Sequence, residues 1–301
     1  MVTSRFLAGF VLALSLLAFT FCEAASFESG DLLIEKHGGG PPLILIPGLS
    51  SGPWVWETTV NRLVTKHTVY LITLPGFDGR APRKDATLDS LHRDLLQLIE
   101  SQQLCKPVLI GHSLGGTLSL AFATRHTTSI AGVIAVDGLA VFPGTENATD
   151  RQALAAAMRT QMVNQSHERF IADQQQYMRT IGSIDAETAH RLAELSSRSD
   201  PAAVAEFTAQ LMMLDLRPQL PSIKVPVLVV SPFNAPDFAR IGMDETRKSA
   251  YYARLLEGIP KLEIISISPA RHFVMFDQPE KFFATIDRGL AQIAANCADS
   301  H

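Results

Sequence analysis

Ser113 stands between glycines in Gly111-His112-Ser113-Leu114-Gly115-Gly116, directly after the apolar run Pro107-Val108-Leu109-Ile110. Residues 117–123 follow with a helical pattern. A serine at a tight strand-to-helix turn has its hydroxyl raised above the sheet edge, where it can attack a carbonyl carbon. Small residues on either side let the strand and helix backbones approach closely. A serine hydroxyl is a poor nucleophile near neutral pH and needs a base to take its proton. His272 meets that need: it lies in a loop after a late strand and can reach across the same sheet edge. His112 is nearer in sequence, but neighbours on a tight turn point different ways, so it is expected to pack or to bond locally. His92 and His190, within helical stretches, read as solvated surface.

Positioning such groups takes a particular order of elements. Residues 32–36, 42–47, 68–73, 107–110 and 130–136 read as strands, and Leu88, Leu91, Leu95 and Leu98 recur with helical spacing between two of them. Strands alternating with helices are the signature of a parallel sheet. From about Phe142 to Leu220 the alternation gives way to helical pattern. Asp150 starts a helix with Leu154, Met158 and Met162, and Asp200-Pro201 caps one with Val204, Phe207, Leu211 and Leu214. This insertion is expected to lie as a cap over the strand ends, with its methionines and leucines mainly packing. Strand pattern resumes at residues 225–230 and 262–267, before an amphipathic helix with Phe283, Ile286, Leu290 and Ile293. The expected fold class is α/β: a mostly parallel central sheet, helices on both faces, and an inserted helical cap. Residues 26–141 and 221–301 form the two parts of the core, and residues 142–220 form the cap.

Taken in order, these elements and four short motifs make the mature chain resemble the α/β-hydrolase family over nearly its whole length. Ile46-Pro47-Gly48-Leu49 is similar to the family's oxyanion loop, and Leu74-Pro75-Gly76-Phe77-Asp78-Gly79 to its second loop. The Ser113 motif is similar to its nucleophile elbow, and Ala270-Arg271-His272-Phe273 to its histidine loop. The departure is Pro47, where the family most often has histidine before the glycine. The resemblance implies Ser113 as nucleophile, His272 as general base and an acid between them in the chain. The oxyanion needs two preorganised N–H donors: Leu114 supplies one at a helix N-terminus, and Leu49 supplies the other. The acid should follow the strand at 225–230, around Asn234; Asp237 is the first carboxylate there. Asp137, at the end of an earlier strand, is the alternative acid, and Asp244 stands third. Asp277 reads as a cap of the last helix, and Trp54 and Trp56 as core residues or, alternatively, pocket-mouth residues.

The implied activity is cleavage of a small or medium carboxylic ester, carboxylesterase or lipase-like, through an acyl-enzyme on Ser113. Two other readings stay open. The same triad could act on an amide, lactone or carbon–carbon bond or transfer an acyl group, or the scaffold could bind without turnover. Dehalogenase and epoxide hydrolase chemistry is disfavoured, because those members carry aspartate where Ser113 stands. No cofactor and no metal is called for, and the expected partner is a small-molecule ester or acyl substrate.

Bulk properties agree. The 301 residues, 47% hydrophobic, suffice for one large domain or one domain with an insertion. A net charge of −4 with mixed signs and no Lys/Arg run excludes a nucleic-acid footprint. At the N-terminus, Arg5 is the only charged side chain before the weakly polar or apolar run 6–21, which leads into Cys22-Glu23-Ala24-Ala25. That pattern predicts a signal peptide over residues 1–25, cleaved after Ala24 or Ala25, and hence export to the periplasm or the medium with no membrane span afterwards. An uncleaved anchor is the alternative, since the run is only slightly short of a span. Cys22 suggests a lipoprotein, but the bulky Phe21 before it fits a lipobox badly. Cleavage would leave Cys105 and Cys297, which could pair or stay free; no metal spacing exists.

Overall fold

The computed structural model describes residues 25–298 of the chain. The expected export segment with Cys22, and the side chain of Cys297, lie outside the described residues; Cys105 is exposed and has no disulfide partner among the described residues.

β1 (Ala25–Ser29), β2 (Leu32–Gly38), β3 (Pro42–Ile46) and β4 (Thr68–Thr73) make one half of a sheet. β5 (Val108–His112), β6 (Gly132–Val136), β7 (Val227–Pro232) and β8 (Leu262–Ile267) make the other. The spatial order is β1-β2-β4-β3-β5-β6-β7-β8. β1, β2 and β4 pair antiparallel, and every later pairing is parallel. β5, β6 and β7 are buried at every position. A sheet covered on both faces selects unbroken apolar strands rather than alternating ones, and these three are such runs. The two faces are still distinct: Leu43 and Leu45 join one core cluster, Ile44 and Ile46 the other.

The first helices are α1 (Glu57–Leu63), α2 (Leu88–Ser101) and α3 (Leu114–Arg125). α2 opens on a capping box: Ser90 N–H donates to Thr87 Oγ1 at 3.0 Å, and Thr87 N–H donates to Ser90 Oγ at 2.8 Å. Its Leu91, Leu95 and Leu98 are fully buried against the sheet. Each such leucine contributes about 2 kcal/mol, and Leu95→Ala would cost roughly 2–5 kcal/mol once the cavity is included.

Between β6 and β7 run α4 (Arg151–Val163), α5 (His167–Tyr177), α6 (Ala186–Ser196) and α7 (Pro201–Met213). Asp150 Oδ1 accepts from Ala153 N–H and Asp200 Oδ1 from Ala203 N–H, both at 2.8 Å, so the two expected helix starts hold. The segment is less uniformly helical than its sequence pattern, since residues 142–150 are irregular and Met178–Gly182 is a π-helical turn. It is tied to loops at the C-terminal strand ends. Asp200 N–H donates to the Gly76 carbonyl at 2.7 Å, and Leu216 N–H donates to that of Ala140 at 2.8 Å. Phe207 of α7 meets Phe77 edge-on at 5.6 Å. After β7 come α8 (Ala235–Phe238) and α9 (Glu245–Leu255), and after β8 come α10 (Val274–Asp277) and α11 (Pro279–Ala298). Among the described residues no helix is long and apolar enough to cross a membrane.

Candidate active site

Ser113 is the first residue past β5, with φ 53° and ψ −118°. A non-glycine residue rarely holds that backbone, and the strain is of order 1–3 kcal/mol. The turn is held from both sides: Ser113 N–H donates to the Val136 carbonyl at 2.8 Å, and its carbonyl accepts from Thr117 N–H at 3.0 Å. Close approach explains the glycines around it. A Cβ on Gly111 would lie 2.1 Å from the Gly115 carbonyl oxygen, and one on Gly115 would lie 2.3 Å from that of Ile46. A Cβ on Gly48 would come within 3.0 Å of Ser113 Cβ, so the Ile46–Leu49 loop presses directly on the elbow. Leu114 is the first residue of α3, so its N–H is one of the donors a helix leaves free at its start. Leu49 stands one residue beyond Gly48 in the same loop.

Asp137 repeats this geometry on the next strand. It is the first residue past β6, has φ 52°, and donates its N–H to the Val230 carbonyl at 2.9 Å. Its carboxylate reaches the histidine loop: Asp137 Oδ2 lies 2.5 Å from His272 Nδ1. The other oxygen, Oδ1, accepts from the Tyr252 hydroxyl. His272 is fixed through its backbone as well. Its N–H donates to the Ile181 carbonyl at 3.0 Å, and its carbonyl accepts from His112 Nε2 at 3.0 Å. Ser113, Asp137 and His272 line one cavity of about 720 Å³, whose other walls include Leu139, Val141, Phe142, Ile181, Leu211 and Leu214.

The expected acid, Asp237, is not beside His272. It lies within α8, and both its oxygens accept from Arg271, at 2.7 Å from Nη2 and 2.8 Å from Nε. Asn234 Nδ2 donates to it as well, at 2.9 Å. The physical reason is competition: the guanidinium next to His272 in sequence offers a planar two-pronged donor, which matches a carboxylate better than one ring nitrogen does. The alternative, Asp137, occupies the position expected of Asp237. Asp244 caps α9, accepting from Arg247 N–H at 2.8 Å. Asp277 does not cap the last helix; it accepts from Ser183 Oγ at 2.6 Å and from Arg271 N–H at 2.8 Å, joining the histidine loop to the inserted helices. His92 is buried, at 3% exposure, rather than solvated, whereas His190 is exposed. His112 is buried too, but its bond spans to the distant histidine loop. Trp56 is fully buried and Trp54 stacks on Phe273 at 6.0 Å; neither lines the cavity. Tyr252 and Arg271 were not singled out from sequence, and only their helical and loop positions could have pointed to them.

The model of the alpha/beta hydrolase family matches residues 43–285, most of the chain. The chain belongs to the alpha/beta hydrolase family. One relative, the pimeloyl-[acyl-carrier protein] methyl ester esterase of Aeromonas hydrophila, is 27% identical over 263 residues, covering 84% of this chain and 97% of its own. Two solved structures share the fold. A hydrolase from Pseudomonas aeruginosa has a TM-score of 0.72 at 17% identity, covering 90% of this chain and 99% of that one. An esterase from Thermogutta terrifontis has 0.69 at 23%, with the same coverage of each.

In this alpha/beta hydrolase the charges around the histidine are arranged asymmetrically. Burial would raise the Asp137 carboxyl, but His272, Lys248 and the Tyr252 hydroxyl outweigh it and hold the group below the ordinary carboxylate range. Burial and the neighbouring His272 press His112 down to about 3, which keeps it neutral. Only a protonated Nε2 can donate to the His272 carbonyl, so His112 Nδ1 is left as a buried bare acceptor. Asp237 and Arg271 neutralise one another at the cavity wall. Lys248, half-buried beside them, is pushed down by burial and drawn up by Asp137 and Asp237.

Proposed function

We propose that the protein is a serine hydrolase that cleaves a carboxylic ester with a small or medium apolar acyl part. Ser113 attacks the ester carbonyl as His272 takes the hydroxyl proton, and Asp137 holds the imidazole tautomer and stabilises the imidazolium. The Leu114 and Leu49 N–H groups receive the oxyanion of the tetrahedral intermediate. His272 then gives the proton to the leaving alcohol, and water attacks the acyl-enzyme by the same route in reverse. The observation that carries this reading is the 2.5 Å contact of Asp137 with His272 at the wall of the cavity that also receives Ser113. The ester-cleaving relative from Aeromonas hydrophila supports the bond type.

The cavity supports the substrate size. At about 720 Å³ with mainly aliphatic and aromatic walls, it is in the range that encloses a small apolar ligand. Rates on a series of p-nitrophenyl esters test this. Turnover per KM should rise from acetyl to medium chains and then fall, and a flat series or no turnover at all would contradict the proposal. We further propose export of the mature chain, on the pattern of Arg5, the apolar run 6–21 and the small residues of Cys22-Glu23-Ala24-Ala25. N-terminal sequencing of protein from its native host should begin at Ala25 or Ser26, and an intact Met1 would overturn this.

A further inference from the structure

The carboxylate at the end of β6 is held from a second direction by α9. Tyr252 is 4% exposed, and its hydroxyl donates to the Asp137 oxygen that His272 does not use. One turn earlier, Lys248 lies on the same helix face, its ammonium 5.4 Å from the centre of the Tyr252 ring. That ammonium donates to the Pro232 carbonyl at the end of β7 and acts on both Asp137 and Asp237. Two residues past β7, Asn234 donates its amide to Asp237.

We propose that Tyr252 and Lys248 are positioning residues that enable Asp137, at the end of β6, to serve His272. This rests on the reading of Asp137 as the triad acid. A carboxylate bound through one oxygen can still turn about its own axis. Bound through both, it presents a fixed oxygen to His272 Nδ1. The phenol suits that task because burial, then the nearby Asp137, push its ionisation well above the ordinary tyrosine range, so it remains a donor. A hydroxyl donating to an ionised oxygen also makes a short, strong bond.

Lys248 acts through charge. The groups facing Asp137 and His272 are His112, which is neutral, the Tyr177 ring, Tyr252, the mutually neutralised Asp237–Arg271 pair, and Lys248. Among the described residues facing the pair, Lys248 is thus the cation that, beside His272, favours the ionised form of the buried Asp137. Removing it should make Asp137 easier to protonate, which removes the active form at higher pH.

The test is steady-state kinetics across pH for purified Tyr252→Phe, Lys248→Met and Asp137→Asn on one soluble short-chain ester. Tyr252→Phe should lower kcat by about tenfold or more with KM within about twofold, the loss expected for one hydrogen bond to a charged group. Lys248→Met should move the acid limb of the pH–rate profile to higher pH. Wild-type kcat in Tyr252→Phe, or an unmoved acid limb in Lys248→Met, would overturn the proposal. If Tyr252→Phe does not fold, the Lys248→Met limb decides alone. Asp137→Asn separates the layers: wild-type kcat there defeats the acid assignment itself, whereas a large loss there with silent Tyr252 and Lys248 variants defeats only this inference.

Discussion

Asp137 accepts from His272 and Tyr252, whereas Asp237 accepts from Arg271 and Asn234, so loss of charge at the two positions should read out differently. Asp137→Asn should lower kcat by roughly a hundredfold or more with KM little changed, because the imidazolium loses its partner. Asp237→Asn should cost less than about tenfold in kcat and act mainly by loosening the histidine loop. Kinetics of the two purified variants check this, and the reverse ranking would return the acid to α8. The meeting of Ser113 and His272 at one cavity was legible because each sits in a short motif whose neighbours are forced by backbone geometry. The acid was not. Asp237 is the first carboxylate after β7, and only the structure reveals that Arg271, the sequence neighbour of His272, has claimed it. Nor could the sequence show that His92 is buried, since helix periodicity places it beside Leu91 and Leu95 without saying which way the imidazole turns.

The elbow depends on two elements crossing at van der Waals limits. Gly115 in α3 meets the carbonyls of Ile46, the last residue of β3, and of Pro47, the first residue of the following loop, where a Cβ would stand at 2.3 and 2.7 Å. Neither is a flexible side-chain end, so the loop or the helix must shift. Gly115→Ala should therefore destabilise the protein by about 3 kcal/mol or more, and should lower kcat because Gly48 and Leu49 move with the loop. Urea unfolding together with ester turnover checks both effects; a wild-type midpoint would show that the loop yields freely. At this scale the strands β2 to β8 were readable as apolar runs, and α4 and α7 from their aspartate starts. β1 was not, because Ala25-Ser26-Phe27-Glu28-Ser29 has one large apolar residue and takes its place by pairing with β2. The π-helical turn at Met178–Gly182 had no signal either; there the carbonyls of Ile181 and Gly182 receive the backbone N–H groups of His272 and Phe273.

Across the whole molecule, two buried histidines couple stability to pH. Burial, then His272, presses His112 to about 3, and burial, then Arg125 and His126, presses His92 to about 4. In the unfolded chain a histidine titrates near 6.5, so below that pH the unfolded state binds protons that the folded state refuses. The contribution is complete above about pH 6.5 and shrinks by roughly 1.4 kcal/mol per histidine per unit as pH falls toward the folded values. Urea midpoints should fall steadily from pH 7 to pH 5, and His92→Gln should flatten that slope; a midpoint constant over this interval would contradict it. The fold class was legible at this scale because a doubly covered parallel sheet imposes a pattern along most of the chain, whereas the site's electrostatics depend on groups brought together from β5, β6, α9 and the loop after β8. The most direct measurement of the central claim, nucleophilic catalysis by Ser113, is peptide mapping of the intact protein after brief exposure to a fluorophosphonate. One adduct per chain, on the peptide bearing Ser113, absent from Ser113→Ala and strongly slowed in Asp137→Asn, is the predicted result. No rapid adduct, or an adduct on a different residue that persists in Ser113→Ala, would contradict it.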